Sequence, residues 1–328
     1  MNLAMKNKNP RGLFDEEFRL ERLSKLHDPL VLVNKLIKWE LFREELTAVF
    51  KKEAKGPGGR PPFDYVMMFK ILILQRFYNI SDDQLEFQIT DRFTFMRFLG
   101  LTISDKVPDS KTIWYFREII TLSGVIEKLF DKFNNELNNK GLIINEGRII
   151  DASFVEVPRQ RNTKEENAQI KQGETPQSWI EKPNKLEQKD LDAQWTKKNK
   201  ETFYGYKDHI KIDSKSKIIL KYEVTDASVH DSQVVDNLTD ESDKGQPLYA
   251  DSAYSGEPIK EVLEEKEIED QIMEKGYRNK PLTEEQKNQN HTKSKIRVRV
   301  EHVFGFIENS MNGSFIRTIG MYRAKAVI

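Results

Sequence analysis

At Arg148 the chain changes its repeat, and that change restricts the architectures open to it. From Leu20 to Leu137 apolar residues recur every three or four positions: Leu30, Val33, Leu36 and Ile37, then Val66, Phe69, Leu72, Ile73 and Phe77. That period puts them on one face of successive amphipathic helices. Beyond Arg148, Ile149 to Val157 is a short β-rich run closed by Pro158, the pattern of a sheet strand. The expectation is an all-helical region over residues 1–140 and an α/β domain over 141–328, a mixed sheet flanked by helices.

Within the helical half, Gly56-Pro57-Gly58-Gly59-Arg60-Pro61-Pro62 breaks the pattern and predicts an exposed connection. Ser81 is placed to cap a helix from Asp82, and Val107-Pro108-Asp109-Ser110 signals another helix start. Short capped helices fit a helix-turn-helix-like module as well as they fit a plain helical bundle.

In the second half, residues 159–200 are rich in Lys, Glu, Gln and Asn, which predicts a flexible insertion or solvated extension. Residues 203–212 and 218–224 flank a polar turn and read as a hairpin. A helix over Ser228–Leu238, a strand over Pro247–Ala250 and a helix over Gly256–Glu267 follow.

Lys plus Arg and Asp plus Glu are 53 each, so a polyanion must be met by local basic clusters rather than by bulk charge. The absence of Cys excludes disulfides, thiolate metal sites and cysteine nucleophiles. No apolar run approaches the roughly 20 residues of a membrane span, and the N-terminus carries charges where a signal peptide is apolar. Cytoplasmic placement, with no membrane partner, is the expectation.

Three acids stand out. Asp151 lies inside a strand, where a carboxylate needs a partner such as Arg148 or a metal. Asp251 follows Tyr249-Ala250 at a strand end, either facing a crevice or capping a turn. Glu301 lies on a helix whose apolar face is Ile296, Val300, Val303 and Ile307; Arg297, four residues earlier, is its neighbour, as in an ordinary surface ion pair. Carboxylates converging from separate elements are what Mg²⁺ or Mn²⁺ phosphoryl chemistry requires.

The order of these segments resembles the bacterial insertion-sequence transposases of the DDE type, in the IS-five group. The segments are Phe63-Asp64, Val107 to Thr112, Ile150-Asp151-Ala152-Ser153, Phe203 to Lys207, Thr225 to Asp231, Ala250 to Tyr254 and Arg297 to Gly305. The resemblance implies a ribonuclease-H-like catalytic core with Asp151, Asp251 and Glu301 as catalytic, metal-binding acids. It implies two divalent ions, Mg²⁺ or Mn²⁺, and cleavage and strand transfer of an insertion sequence. Arg297 matches the arginine preceding the family's glutamate. Ser294 and Glu308 stand where the family carries a Tyr and a basic residue, and similar chains continue past Ile328 with another helix. Double-stranded DNA, as terminal inverted repeats and target, and a second copy of the chain are the implied partners.

Lys293, Lys295, Arg297 and Arg299 form a basic strip before Glu301, suited to DNA phosphates or simply to a solvated helix face. His230-Asp231 could assist metal or phosphate positioning, against which Asp231 or Ser228 reads as a helix cap. Trp179 and Trp195, in the polar insertion, are candidates for stacking on an unpaired base, whereas Trp114 reads as core. The competing readings are a metal-dependent nuclease on the same fold, an inactive DNA-binding descendant and a helical scaffold.

Overall fold

A computed structural model describes residues 12, 14–51, 61–198 and 200–328. Gly56 to Arg60 of the breaker cluster lie outside the described residues. Two compact units, Met1–Val125 and Ile126–Ile328, divide the chain.

The first unit is helical: α1 (Asp15–Lys25), α2 (Pro29–Leu36), α3 (Arg43–Phe50), α4 (Tyr65–Phe77), α5 (Asp82–Asp91), α6 (Phe93–Leu99) and α7 (Ser110–Leu122). Its helix starts are set by side-chain caps: Asp64 on Met67 N, Ser81 on Gln84 N and Asp109 on Thr112 N. Leu46, Ile71, Leu85, Ile89 and Ile113 are fully buried. Trp114, expected in the core, is half exposed. It directly follows Ile113, and one residue's rotation along a helix turns it away from the packed face.

The last helix of the 3.6-residue repeat, α8 (Val125–Asn139), packs with the second unit. Phe130 meets Tyr222 edge-on at 5.0 Å, and Asn134 donates to the Leu220 carbonyl at 3.1 Å.

The remaining elements are β1 (Arg148–Glu156), α9 (Lys164–Lys171), α10 (Gln177–Ile180), α11 (Pro183–Leu186), β2 (Gln194–Lys198), β3 (Glu201–Asp213) and β4 (Ile219–Asp226). After them come α12 (Val235–Leu238), β5 (Pro247–Tyr249), α13 (Glu257–Glu265), β6 (Glu269–Asp270), α14 (Glu284–Arg297), α15 (Arg299–Ser310) and α16 (Met321–Val327). The sheet runs β2-β3-β1-β5-β6, with β4 also on β3. The β1/β3 and β3/β4 pairs are antiparallel; β1/β5 and β5/β6 are parallel. Strand alternation sorts the core onto two faces. Ile150, Leu248 and Tyr254 pack against Val235, Leu238, Ile259 and Leu263 on one side. Ile149, Ile210 and Ile212 meet Val300 and Phe304 of α15 on the other. A mixed sheet covered on both faces in this way is ribonuclease-H-like.

Three expectations change here. Residues 159–200 are folded, not a flexible extension. Thr163 and Glu166 form a reciprocal cap at the start of α9. Glu166 then accepts from Trp179 Nε1 at 2.6 Å and Lys185 Nζ at 3.1 Å, and those bonds with the Thr163 N–H hold its carboxyl down at about 2. Trp179 is thereby fully buried and unavailable to a base, while Trp195 is 40% exposed. Ser228–Leu238 is not one helix but a 3-10 turn over Asp231–Val234 followed by α12. Finally, the helix expected through Ile296–Ile307 breaks at Val298, where Glu301 N bonds three residues back to the Val298 carbonyl.

Arg148, the partner expected for Asp151, turns to the opposite face. It donates to Asp243 at 2.7 Å and approaches Asp213 at 3.4 Å, and Lys211 donates to Asp243 and Asp240. This network ties β1, β3 and the turn before β5 beneath the sheet.

Candidate active site

Asp151 sits midway along β1, two residues past the last parallel pair Ile149↔Tyr249, and Asp251 lies two residues past Tyr249, near enough for its charge to act on Asp151. The two acids therefore lie near each other just past the end of β5. Asp251 is fixed there by its own turn: its Oδ1 accepts from Ala253 N at 2.8 Å and caps a 3-10 turn over Ser252–Tyr254. The crevice and turn-cap readings are therefore compatible.

Burial pushes the Asp151 carboxyl above its ordinary range. The Ala152 N–H, the Arg297 guanidinium and, more weakly, Lys198 oppose that rise, and the Asp251 charge adds to it. Arg297 Nη1 donates to Asp151 Oδ2 at 2.7 Å, and Nη2 reaches Glu301 Oε1 at 3.3 Å. One guanidinium thus joins the first and third acids. Glu301 itself is more than half exposed. Arg297 Nε is buried with no bonding partner.

Lys293 donates to the Ile272 carbonyl at 2.9 Å, and Arg299 donates to the Ser214 carbonyl at 3.0 Å. Of the basic strip, Lys295 alone points fully to solvent. Three of the four side chains thus brace α14 and α15 against the sheet.

Other groups stand around the acids. Tyr254 places a buried hydroxyl without a bonding partner under the acids; burial, with the charges of Asp231, Asp151 and Asp251, raises its pKa well above the ordinary value. Asp231 accepts from Lys207 Nζ at 2.8 Å, pinning the loop after β4, while His230 Nδ1 caps the 3-10 turn. Glu308, standing where a basic residue was expected, accepts from Ser153 Oγ at 2.7 Å. The Lys207–Asp231 and Ser153–Glu308 contacts link residues far apart in the chain, so spacing could not disclose them.

Among the described residues no three His, Cys, Asp or Glu side chains already stand together as a metal cage. The donor chemistry nonetheless fits a hard cation: Asp151 and Asp251 are adjacent oxygen donors, one of them buried, and a positive guanidinium balances them. Glu301 joins such a set once it leaves Arg297.

One acid midway along β1 and another just past the end of the parallel strand β5, on a mixed sheet, is the arrangement of the ribonuclease-H-like phosphoryl-transfer enzymes. The transposase DDE domain family matches residues 145–326, and a family described as a transposase domain matches residues 18–118. The first match spans more than half the chain, and the protein belongs to the DDE transposases: an enzyme that acts on DNA and depends on a divalent metal. No solved structure matches the chain. Among the described residues no helix is long and apolar enough to cross a membrane.

Proposed function

We propose that the protein cleaves the ends of an insertion sequence and joins them to target DNA, with Asp151, Asp251 and Glu301 as its catalytic acids. The observation that carries this reading is the nearness of Asp151 to Asp251 just past the parallel β1/β5 pairing, with Arg297 joining Asp151 to Glu301. The segment order supports the IS-five group. Two ions, Mg²⁺ or Mn²⁺, would supply an activated hydroxyl nucleophile and neutralise the leaving oxygen.

The chain's own residues set the geometry. Asp151 is held by its strand and by Arg297, and Asp251 by its turn, so their oxygens are fixed before substrate arrives. Arg297 opposes the rise that burial causes in Asp151 and, on releasing Glu301, offers its free N–H groups to a phosphate oxygen. The helical residues 1–140 are assigned to DNA binding and assembly, and residues 141–328 to catalysis. Two ends must be held together for joining, which supports a homodimer on DNA.

The test is incubation of the protein with Mn²⁺, a fragment bearing the element's terminal repeats, and a target plasmid. Joined products that disappear in Asp151→Ala support the proposal. Hydrolysis without joining indicates a nuclease, and unchanged products in the variant overturn the assignment.

A further inference from the structure

From Tyr65 to Leu74, α4 carries one charged side chain, Lys70, and it is only 8% exposed. A lysine so deep ordinarily faces a carboxylate. Among the described residues no hydrogen bond or ion pair reaches the Lys70 ammonium. It lies instead against two aromatic rings, 5.3 Å from Trp39 and 4.6 Å from Phe98. Those rings stand at 89° to each other, two walls around the cation. Aromatic faces attract a cation but do not neutralise it. Burial holds the Lys70 pKa down at about 8, against the opposing pull of Asp64 and Glu40.

Lys70 lines a cavity of about 540 Å³, within the range of small-molecule sites. Trp39, Val66, Met67 and Leu99 supply its apolar wall. The two acids on the lining, Glu40 and Asp64, are both bound by Arg43, and Asp64 also caps α4 at Met67 N. With Lys38, which completes the lining, three cations stand against two carboxylates and one positive charge is left over. That surplus matches a monoanion. A phosphate dianion would overshoot it and be repelled by Glu40 and Asp64.

We infer that this cavity is a binding site for a small apolar monocarboxylate: its carboxylate pairs with Lys70 beside the Trp39 and Phe98 rings, and its hydrocarbon body lies along Val66, Met67 and Leu99. The walls come from the 3-10 turn Trp39–Phe42, from α4 and from the last residue of α6, so an occupant braces three segments of the helical unit. The site belongs to that unit alone and stands or falls apart from the transposase reading.

Isothermal titration calorimetry of the full chain at pH 7, where Lys70 is charged, compares 2-naphthoate with 2-naphthalenemethanol, which has the same rings and no charge. Wild-type protein is expected to prefer the naphthoate by about ten-fold, the scale of one hydrogen bond between charged groups. Lys70→Met keeps an unbranched stem and removes a buried charge; it is expected to lose the preference while binding the alcohol as before. Met67→Trp fills the cavity and is expected to bind neither probe, which keeps the site testable if Lys70→Met melts early. Absence of naphthoate binding, equal affinity of wild type for both probes, a preference surviving in Lys70→Met or naphthoate still binding to Met67→Trp would overturn the site. DNA cleavage and joining are read in a separate assay, so none of these results decides the transposase reading.

Discussion

Arg297 Nη1 stands 2.7 Å from Asp151 Oδ2, and the same guanidinium reaches Glu301 at 3.3 Å, so a single cation links two acids 150 residues apart in the chain. Removing it leaves Asp151 buried beside Asp251 with its main opposing charge gone. Arg297→Ala is expected to lower metal-dependent cleavage by about 10- to 100-fold, the usual effect of losing a group that orients a ligand. Its rate profile should also shift to higher pH, because Asp151 then holds its proton more tightly. Arg297→Lys keeps the charge without the fork and should fall between. Equal rates across pH in all three proteins would contradict this role.

Asp208 and His209 are adjacent on β3 and face opposite sides of the sheet, and burial moves them in opposing directions. It pushes the Asp208 carboxyl up to about 7 and the His209 imidazole down to about 4. From about pH 4 to pH 6.5 the folded state holds a proton on Asp208 that the unfolded state has lost, so stability falls as pH rises. Over the same window unfolded His209 carries a proton that the folded state lacks, so its stabilisation grows as pH rises. The two slopes oppose each other. Asp208→Asn should expose a positive slope and His209→Gln a negative one, each up to about 1.4 kcal/mol per pH unit. Urea titrations at several pH values measure both; parallel profiles for the two variants would refute the assignment.

Asp243 compensates both Arg148 and Lys211, and all three side chains are at most 2% exposed. Asp243→Ala leaves buried Arg148 with only Asp213 at 3.4 Å and buried Lys211 with only Asp240, and the expected loss is about 3–5 kcal/mol. Chemical denaturation checks it. A loss under about 1 kcal/mol would mean that water reaches these cations.

Glu166 holds the insertion through Trp179, Lys185 and the Thr163 N–H. Glu166→Ala should red-shift part of the tryptophan emission and open residues 160–190 to limited proteolysis, with the sheet unaffected. An unchanged digestion pattern would place the insertion's stability elsewhere.

The sheet strands were legible because Ile149–Val157 and residues 203–212 concentrate β-branched and aromatic side chains between breakers. The caps at Ser81 and Asp109 were legible because such bonds are local. The insertion was not: its buried Ile170 and Trp179 follow no period, and its order depends on one glutamate gathering distant donors. The break at Val298 was hidden for a different reason. Every residue from Ile296 to Ile307 tolerates a helix, and the interruption shows only as a 3-10 bond. Within the candidate site the acids could be named from residue type and family resemblance, but the Arg297 bridge depends on tertiary packing. Arg148 was the nearer basic residue in sequence, and strand alternation turns it from Asp151 to the opposite face.

The central claim concerns where a divalent cation binds. Crystals of the protein soaked to saturation in Mn²⁺ and measured for anomalous scattering give the position directly. The account predicts a peak held jointly by the Asp151 and Asp251 carboxylates, with the Arg297 guanidinium still on Asp151 and withdrawn from Glu301. Mn²⁺ bound elsewhere, with no peak at those two carboxylates, would contradict it.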